Sequence, residues 1–103
     1  DLRAEAIYKA ATVYQIRGQS NARAAVLWLM VERYLNPESE QYGTLGPGGR
    51  YWAGRGLIAL GELLEAQDDF AGAGRVYRGL VSARLPGSRL ARQRLNNDPF
   101  VLP

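Results

Sequence analysis

The chain contains neither cysteine nor histidine. Disulfides, zinc sites built on thiolate or imidazole, and histidine acid–base chemistry are therefore excluded. The absence of thiols does not fix a compartment, because such a protein is compatible with oxidising and reducing surroundings alike. Long hydrophobic runs are lacking too. The longest uninterrupted apolar stretch is residues 24–31, whereas a membrane-spanning helix needs roughly 20 residues. No segment shows the strict alternation of a strand. No signal-peptide pattern opens the chain, which starts at Asp1 and reads as an excised domain or a processed form of something longer.

What is present suits one soluble globular domain. The length is 103 residues, with 47% hydrophobic and 22% charged, so there is enough apolar side chain for one core and no compositional case for disorder. Charge is uneven. Residues 1–69 carry a net of −2, while residues 70–103 set Arg75, Arg78, Arg84, Arg89, Arg92 and Arg94 against Asp98 alone. That asymmetry suits an acidic partner, a nucleic acid or an anionic surface. A solvated arginine-rich helix face is the plainer reading.

The apolar spacing predicts five helices. The first spans residues 2–17, with Ile7, Ala10, Ala11 and Tyr14 on one face, and Gly18 ends it. Ser20 is a candidate cap for a second helix over residues 21–35, which is apolar almost all round and is expected at the centre of the core. Asn36-Pro37 stops it, and Gly43-Thr44-Leu45-Gly46-Pro47-Gly48-Gly49 reads as a surface loop dispensable for folding. A third helix is expected over residues 51–66, with Leu57, Leu60, Gly61 and Leu64 on one face. A fourth, over residues 70–84, is capped by Asp68 or Asp69 and turns Phe70, Ala73, Tyr77, Leu80 and Val81 inward. Leu85-Pro86-Gly87 breaks it, Ser88 caps a fifth helix over residues 88–95, and a tail over residues 96–103 is expected to be extended.

The chain repeats itself. An offset of 49 residues superimposes Ala24 on Ala73, Trp28 on Tyr77, Val31 on Leu80 and Pro37-Glu38-Ser39 on Pro86-Gly87-Ser88. Trp28 and Tyr77 are therefore expected at equivalent buried places. The second half, Leu57-x2-Leu60-Gly61-x2-Leu64 followed by Ala73-x3-Tyr77 and Pro86, resembles the tetratricopeptide repeat. The first half fits with one extra residue in its turn, through Ile7, Ala10, Ala11 and Tyr14, then Ala24, Trp28 and Pro37. The Pro-x-Ser ending is similar to a bacterial cell-envelope subgroup that includes BamD-like lipoproteins and the Tol–Pal coordinator. That likeness favours the periplasm or envelope over the cytoplasm. The implied architecture is all-α, two stacked antiparallel helical hairpins with a short C-terminal capping helix. Repeat 1 covers about residues 2–37, an insertion 38–50, repeat 2 about 51–86, the capping helix 88–95 and the tail 96–103. The offset exceeds the usual repeat of about 34 residues, and the surplus corresponds to the insertion.

The resemblance also implies a function. The first helix of each tetratricopeptide repeat lines a concave groove that takes a peptide or helix, and here those positions are Tyr8, Thr12, Gln15, Arg55, Ile58, Glu62 and Glu65. A surface of that composition suits a partner with basic and apolar side chains, Glu62 and Glu65 selecting for the basic ones. The family's chaperone-tail ligands need lysine and asparagine where this chain has Tyr8, Thr12, Ile58 and Glu62, so that mode is rejected. The ends of such a stack also allow self-association.

No catalytic residue, cofactor site or metal site is assigned, and no small-molecule substrate. Glu62 and Glu65 lie three apart on one helix, the spacing of a solvated acidic face as much as of a proton-sharing pair. Gly46-Pro47-Gly48-Gly49 lacks the Gly-Lys-Ser/Thr of a phosphate-binding loop. The competing class is polyanion binding. Arg75 and Arg78 share one helical face, as do Arg89 and Arg92, and guanidinium groups grip phosphates well. Stacking aromatics are not interleaved with them, which makes nucleic acid the weaker alternative.

Overall fold

The computed structural model describes residues 2–97 and 99–100. Among them the chain is helical and contains no strand: α1 (Leu2–Ile16), α2 (Ser20–Met30), α3 (Pro47–Ala66), α4 (Phe70–Ser82) and α5 (Ser88–Leu95). A π-helical turn over Val31–Leu35 prolongs α2. Among the described residues, no helix is long and apolar enough to cross a membrane.

Two helix ends set the register of the chain. After α1, Gly18 takes a positive φ of 70°, its N–H donates to the Gln15 carbonyl at 3.1 Å, and the Gln19 N–H donates to the Tyr14 carbonyl at 2.9 Å. After α3, Asp68 takes φ 60°, its N–H donates to the Glu65 carbonyl at 2.9 Å, and the Asp69 N–H donates to the Leu64 carbonyl at 2.8 Å. Both are the same left-handed closure, which satisfies carbonyls that a helix end leaves free. The two turns are equally long, and equivalent residues lie 50 apart.

The expected offset of 49, with its extra residue in the first turn, is thereby corrected. In the 50-residue register Ile7 matches Leu57, Leu27 matches Tyr77 and Met30 matches Leu80, and all six are buried. A slip of one residue turns a helix face by about 100°. Trp28 therefore corresponds to the exposed Arg78, and it is half-buried while Tyr77 is fully buried. Their expected equivalence fails for that reason. Arg23, in turn, falls where the second hairpin has the buried Ala73.

The core centres on α3, not on α2 as the apolar run suggests. Helix α3 packs on α1, α2 and α4, and buries Gly49, Ala53, Gly54, Gly56, Leu57, Leu60, Gly61 and Leu64, whereas α2 buries only Leu27 and Met30. Small residues allow this. A Cβ added at Gly61 would lie 2.3 Å from the Tyr77 ring, and one at Gly56 would lie 2.2 Å from Met30 Sδ. On α1 the inward set is Ala4, Ile7 and Ala11, at spacings of three and four, while Ala10 is exposed.

The glycine-rich segment is only partly loop. Turns occupy residues 37–43, beginning where Asn36 Oδ1 accepts from the Glu38 N–H at 3.0 Å. Gly46 then precedes α3 and Pro47 sits in its first turn, where the missing N–H costs nothing. Helix α3 so begins four residues before the expected Tyr51, and Gly49 is buried within it. Neither serine caps as expected. Gln19 precedes α2 without a side-chain bond, Gly87 precedes α5, and Ser88 Oγ donates back to the Leu85 carbonyl at 2.6 Å. Asp69 does cap α4, accepting from the Gly72 N–H at 2.9 Å. Helix α4 stops at Ser82, and its inward face includes Val76, while Phe70 is exposed.

Beyond α5 the chain turns instead of extending. The Phe100 N–H donates to the Asn97 carbonyl at 3.0 Å, and the Phe100 ring meets Tyr77 and Phe70 edge-on at 5.7 and 6.2 Å between centroids. The rest of the expected extended tail, residues 98 and 101–103, lies outside the described residues.

Candidate partner-binding cleft

One face of α1 and one of α3 bound an open cavity of about 400 Å3, completed by Arg23 of α2 and by Pro86 and Gly87 between α4 and α5. Of the seven expected groove residues, Tyr8, Gln15, Arg55, Ile58 and Glu62 line it. Thr12 does not; its hydroxyl donates to the Tyr8 carbonyl at 3.1 Å, one turn back on α1. Glu65 also lies outside the lining.

An aromatic and cationic cluster forms one wall. The Arg55 guanidinium lies 4.9 Å from the Tyr8 ring centroid, 5.7 Å from Tyr51 and 5.8 Å from Trp52. It also donates to the Tyr51 hydroxyl at 3.0 Å and to the Tyr8 hydroxyl at 3.1 Å. The hydrogen bond to Tyr51, and then the charge interaction with Tyr8, raise the Arg55 pKa above its ordinary value. Contact with ring faces and two hydroxyls holds an otherwise mobile side chain in one place. Trp52 packs against Tyr8 at 5.4 Å and edge-on to Tyr51 at 5.2 Å, and Lys9, paired with Glu5 at 2.5 Å, lies 5.9 Å from the Trp52 ring. Helical spacing alone carries no signal that Trp52 would meet Tyr8, or that Arg55 would join Tyr51 to Tyr8, across two helices.

The opposite end of the cleft is organised by Arg94. Its Nη1 donates to Glu65 Oε2 at 2.6 Å and its Nη2 to Glu62 Oε2 at 2.9 Å. Glu65 Oε2 also accepts from the Tyr77 hydroxyl at 2.7 Å. Burial, then the bond to Glu65, pushes the Tyr77 pKa well above the ordinary 10.0. Burial pulls Arg94 down, but Tyr77, Glu65 and Glu62 together raise it. Arg94 of the same chain already pairs with both Glu62 and Glu65, so a basic segment would meet one net negative charge there and not the two expected. Arg94 was absent from the expected site residues; its reach of roughly 30 positions back to α3 has no local sequence signature.

Arg23 was also missed. It lines the cavity, its Nε is buried without a hydrogen-bond partner, and among the described residues it makes no ion pair. The four arginines of the polyanion alternative, Arg75, Arg78, Arg89 and Arg92, are all exposed, lie outside the cavity lining, and make no ion pair among the described residues. A second cavity of about 170 Å3 is lined by Tyr34, Tyr42, Gly43 and Leu45, and the buried Tyr34 hydroxyl in it has no partner among the described residues. Comparison of the chain with protein-family models, with curated proteins and with solved structures finds no match.

Proposed function

We propose that this chain is a non-catalytic interaction module of the tetratricopeptide kind, which holds a peptide or helix of another protein in the cleft between α1, α3 and the α4–α5 turn. The observation that carries the reading is the convergence of Tyr8, Gln15, Arg55, Ile58 and Glu62, drawn from two helices, on one open cavity of about 400 Å3. That volume is in the range of sites that seat ligand groups. The stacking of two helix–turn–helix units is supported by the 50-residue register and by the packing of α3 on both α1 and α2. Ile58 and the Tyr51 ring offer apolar contact, and the fixed Arg55 offers polar contact, the mixture that gives an interface its anchors.

The test is selection of amphipathic helical peptides from a displayed library, followed by affinity measurement. Binders are expected, and Ile58→Asp is expected to abolish them. Failure to select any binder would sink the reading.

A second reading, polyanion binding, is favoured by the four exposed arginines of α4 and α5, which make no ion pair among the described residues. It requires affinity that falls steeply with salt, in proportion to the phosphates neutralised. Loss of binding only in the double change Arg89→Glu with Arg92→Glu, with competition by heparin, would decide for it.

A further inference from the structure

We infer that the cleft takes an acidic side chain of its partner, a glutamate or aspartate carboxylate held between Arg23 and Arg55. This rests on the cleft being the partner site and names the chemistry it recognises. Three observations carry it. First, the cations that line the cavity have bonding capacity to spare. A guanidinium carries five N–H donors; Arg55 spends two on tyrosine hydroxyls, and Arg23 spends none on the described residues.

Second, the Arg23 side chain makes no hydrogen bond or ion pair with the described residues. The equivalent residue of the second hairpin is the buried Ala73, whereas Arg23 is partly buried, and its buried Nε, without an acceptor among the described residues, costs stability. The terminal nitrogens of Arg23, unlike Nε, are not shut off from solvent, and they are the donors that a carboxylate in the cleft meets. Third, the acid that lines the same cavity, Glu62, is already held by Arg94. Glu62, Glu65 and Arg94 together keep one negative charge against the two positive charges of Arg23 and Arg55, so the balance at the cleft is positive.

A carboxylate on a short apolar stem fits better than a phosphate chain. Ile58, Ala59 and Pro86 line the same cavity and offer contact to side-chain methylenes, which a nucleic-acid backbone cannot use. The arginines best placed for an extended polyanion, Arg75, Arg78, Arg89 and Arg92, lie outside this lining.

The experiment uses a displayed library of amphipathic helical peptides in which one flank is free to be Glu, Gln or Lys, panned on the whole chain at moderate salt. Enrichment of Glu is expected, with Arg23→Gln and Arg55→Gln each weakening the selected peptide roughly tenfold or more, the scale of one charge-assisted bond. Replacing the selected glutamate by glutamine is expected to do the same, and Arg89→Gln to change little. Circular dichroism melts confirm that the variants fold. Enrichment of Lys, or binders indifferent to Arg23→Gln, would overturn the inference and leave the cleft reading standing. Absence of any binder would remove both. Binders displaced by heparin and lost in Arg89→Gln would assign the contact to the arginine face and overturn the inference.

Discussion

The two hairpins share a register and differ in what they place at it. In α3 and α4 the inward positions are small or fully buried, with Gly61 against the Tyr77 ring and Ala73, Val76 and Leu80 shut off from solvent. In α1 and α2 the matching positions include Ala11, Leu27 and Met30, but also Arg23, while Trp28, Tyr8 and Tyr14 are half-buried. Val13 and Ile16 of α1 stand exposed. The second hairpin is built for packing. The first trades packing for polar and aromatic surface turned toward the cleft, and the cleft is where the two hairpins meet.

The largest expected effect tests the register directly. Tyr77→Ala empties a fully buried site and is expected to cost ~3–5 kcal/mol, whereas the half-buried Trp28 should lose about half as much on truncation. Thermal or urea unfolding of the two variants would decide. Equal losses would restore the 49-residue equivalence of Trp28 with Tyr77.

A smaller effect distinguishes equivalent positions on the first helices. Gly61→Ala drives a methyl into the Tyr77 ring and should cost ~1–3 kcal/mol through overpacking. Its counterpart Ala11→Gly only removes a buried methyl and loosens α1, which is expected to cost about 1 kcal/mol. Gly61→Ala without a measurable loss would mean that α3 and α4 pack less closely than described.

The alkaline limb of stability is the subtlest difference. Folding raises the Tyr77 pKa above 10.0, so the unfolded chain gives up that proton first. Its contribution is complete below pH 10.0 and is lost as pH climbs through the higher folded value. Melting temperature should therefore fall above pH 10.0, and Tyr77→Phe should flatten that limb. A limb unchanged by Tyr77→Phe would place the responsible proton elsewhere.

The sequence carried the helical class, the two turn regions and part of the cavity lining. Gly18, Asp69 and Pro86 mark breaks that the backbone obeys, because glycine, a capping carboxylate and proline act locally. Five of the seven positions that the tetratricopeptide resemblance implies for a groove line the cavity, since that resemblance pairs α1 with α3. The helix register was not. Alanines recur so densely around Arg23 that an offset of 49 matches as well as one of 50, and only the hydrogen bonds at Gly18 and Asp68 separate them. Nor was the start of α3 legible, since Gly-Pro-Gly-Gly signals a loop until Pro47 is seen in a first helical turn and Gly49 against the core. Arg94 and Trp52 acquire their roles through tertiary contacts, which no local pattern encodes.

The central claim is that Arg23 is kept at an inward position for binding, at the expense of the fold. Arg23→Met retains the apolar stem and removes the buried Nε, which has no partner among the described residues. Measuring the melting temperature and the affinity for a selected acidic peptide on the same variant separates the two roles. The account predicts a more stable protein, by about 1 kcal/mol, that binds the peptide roughly tenfold or more weakly. A less stable variant that still binds would contradict it and make Arg23 a structural residue.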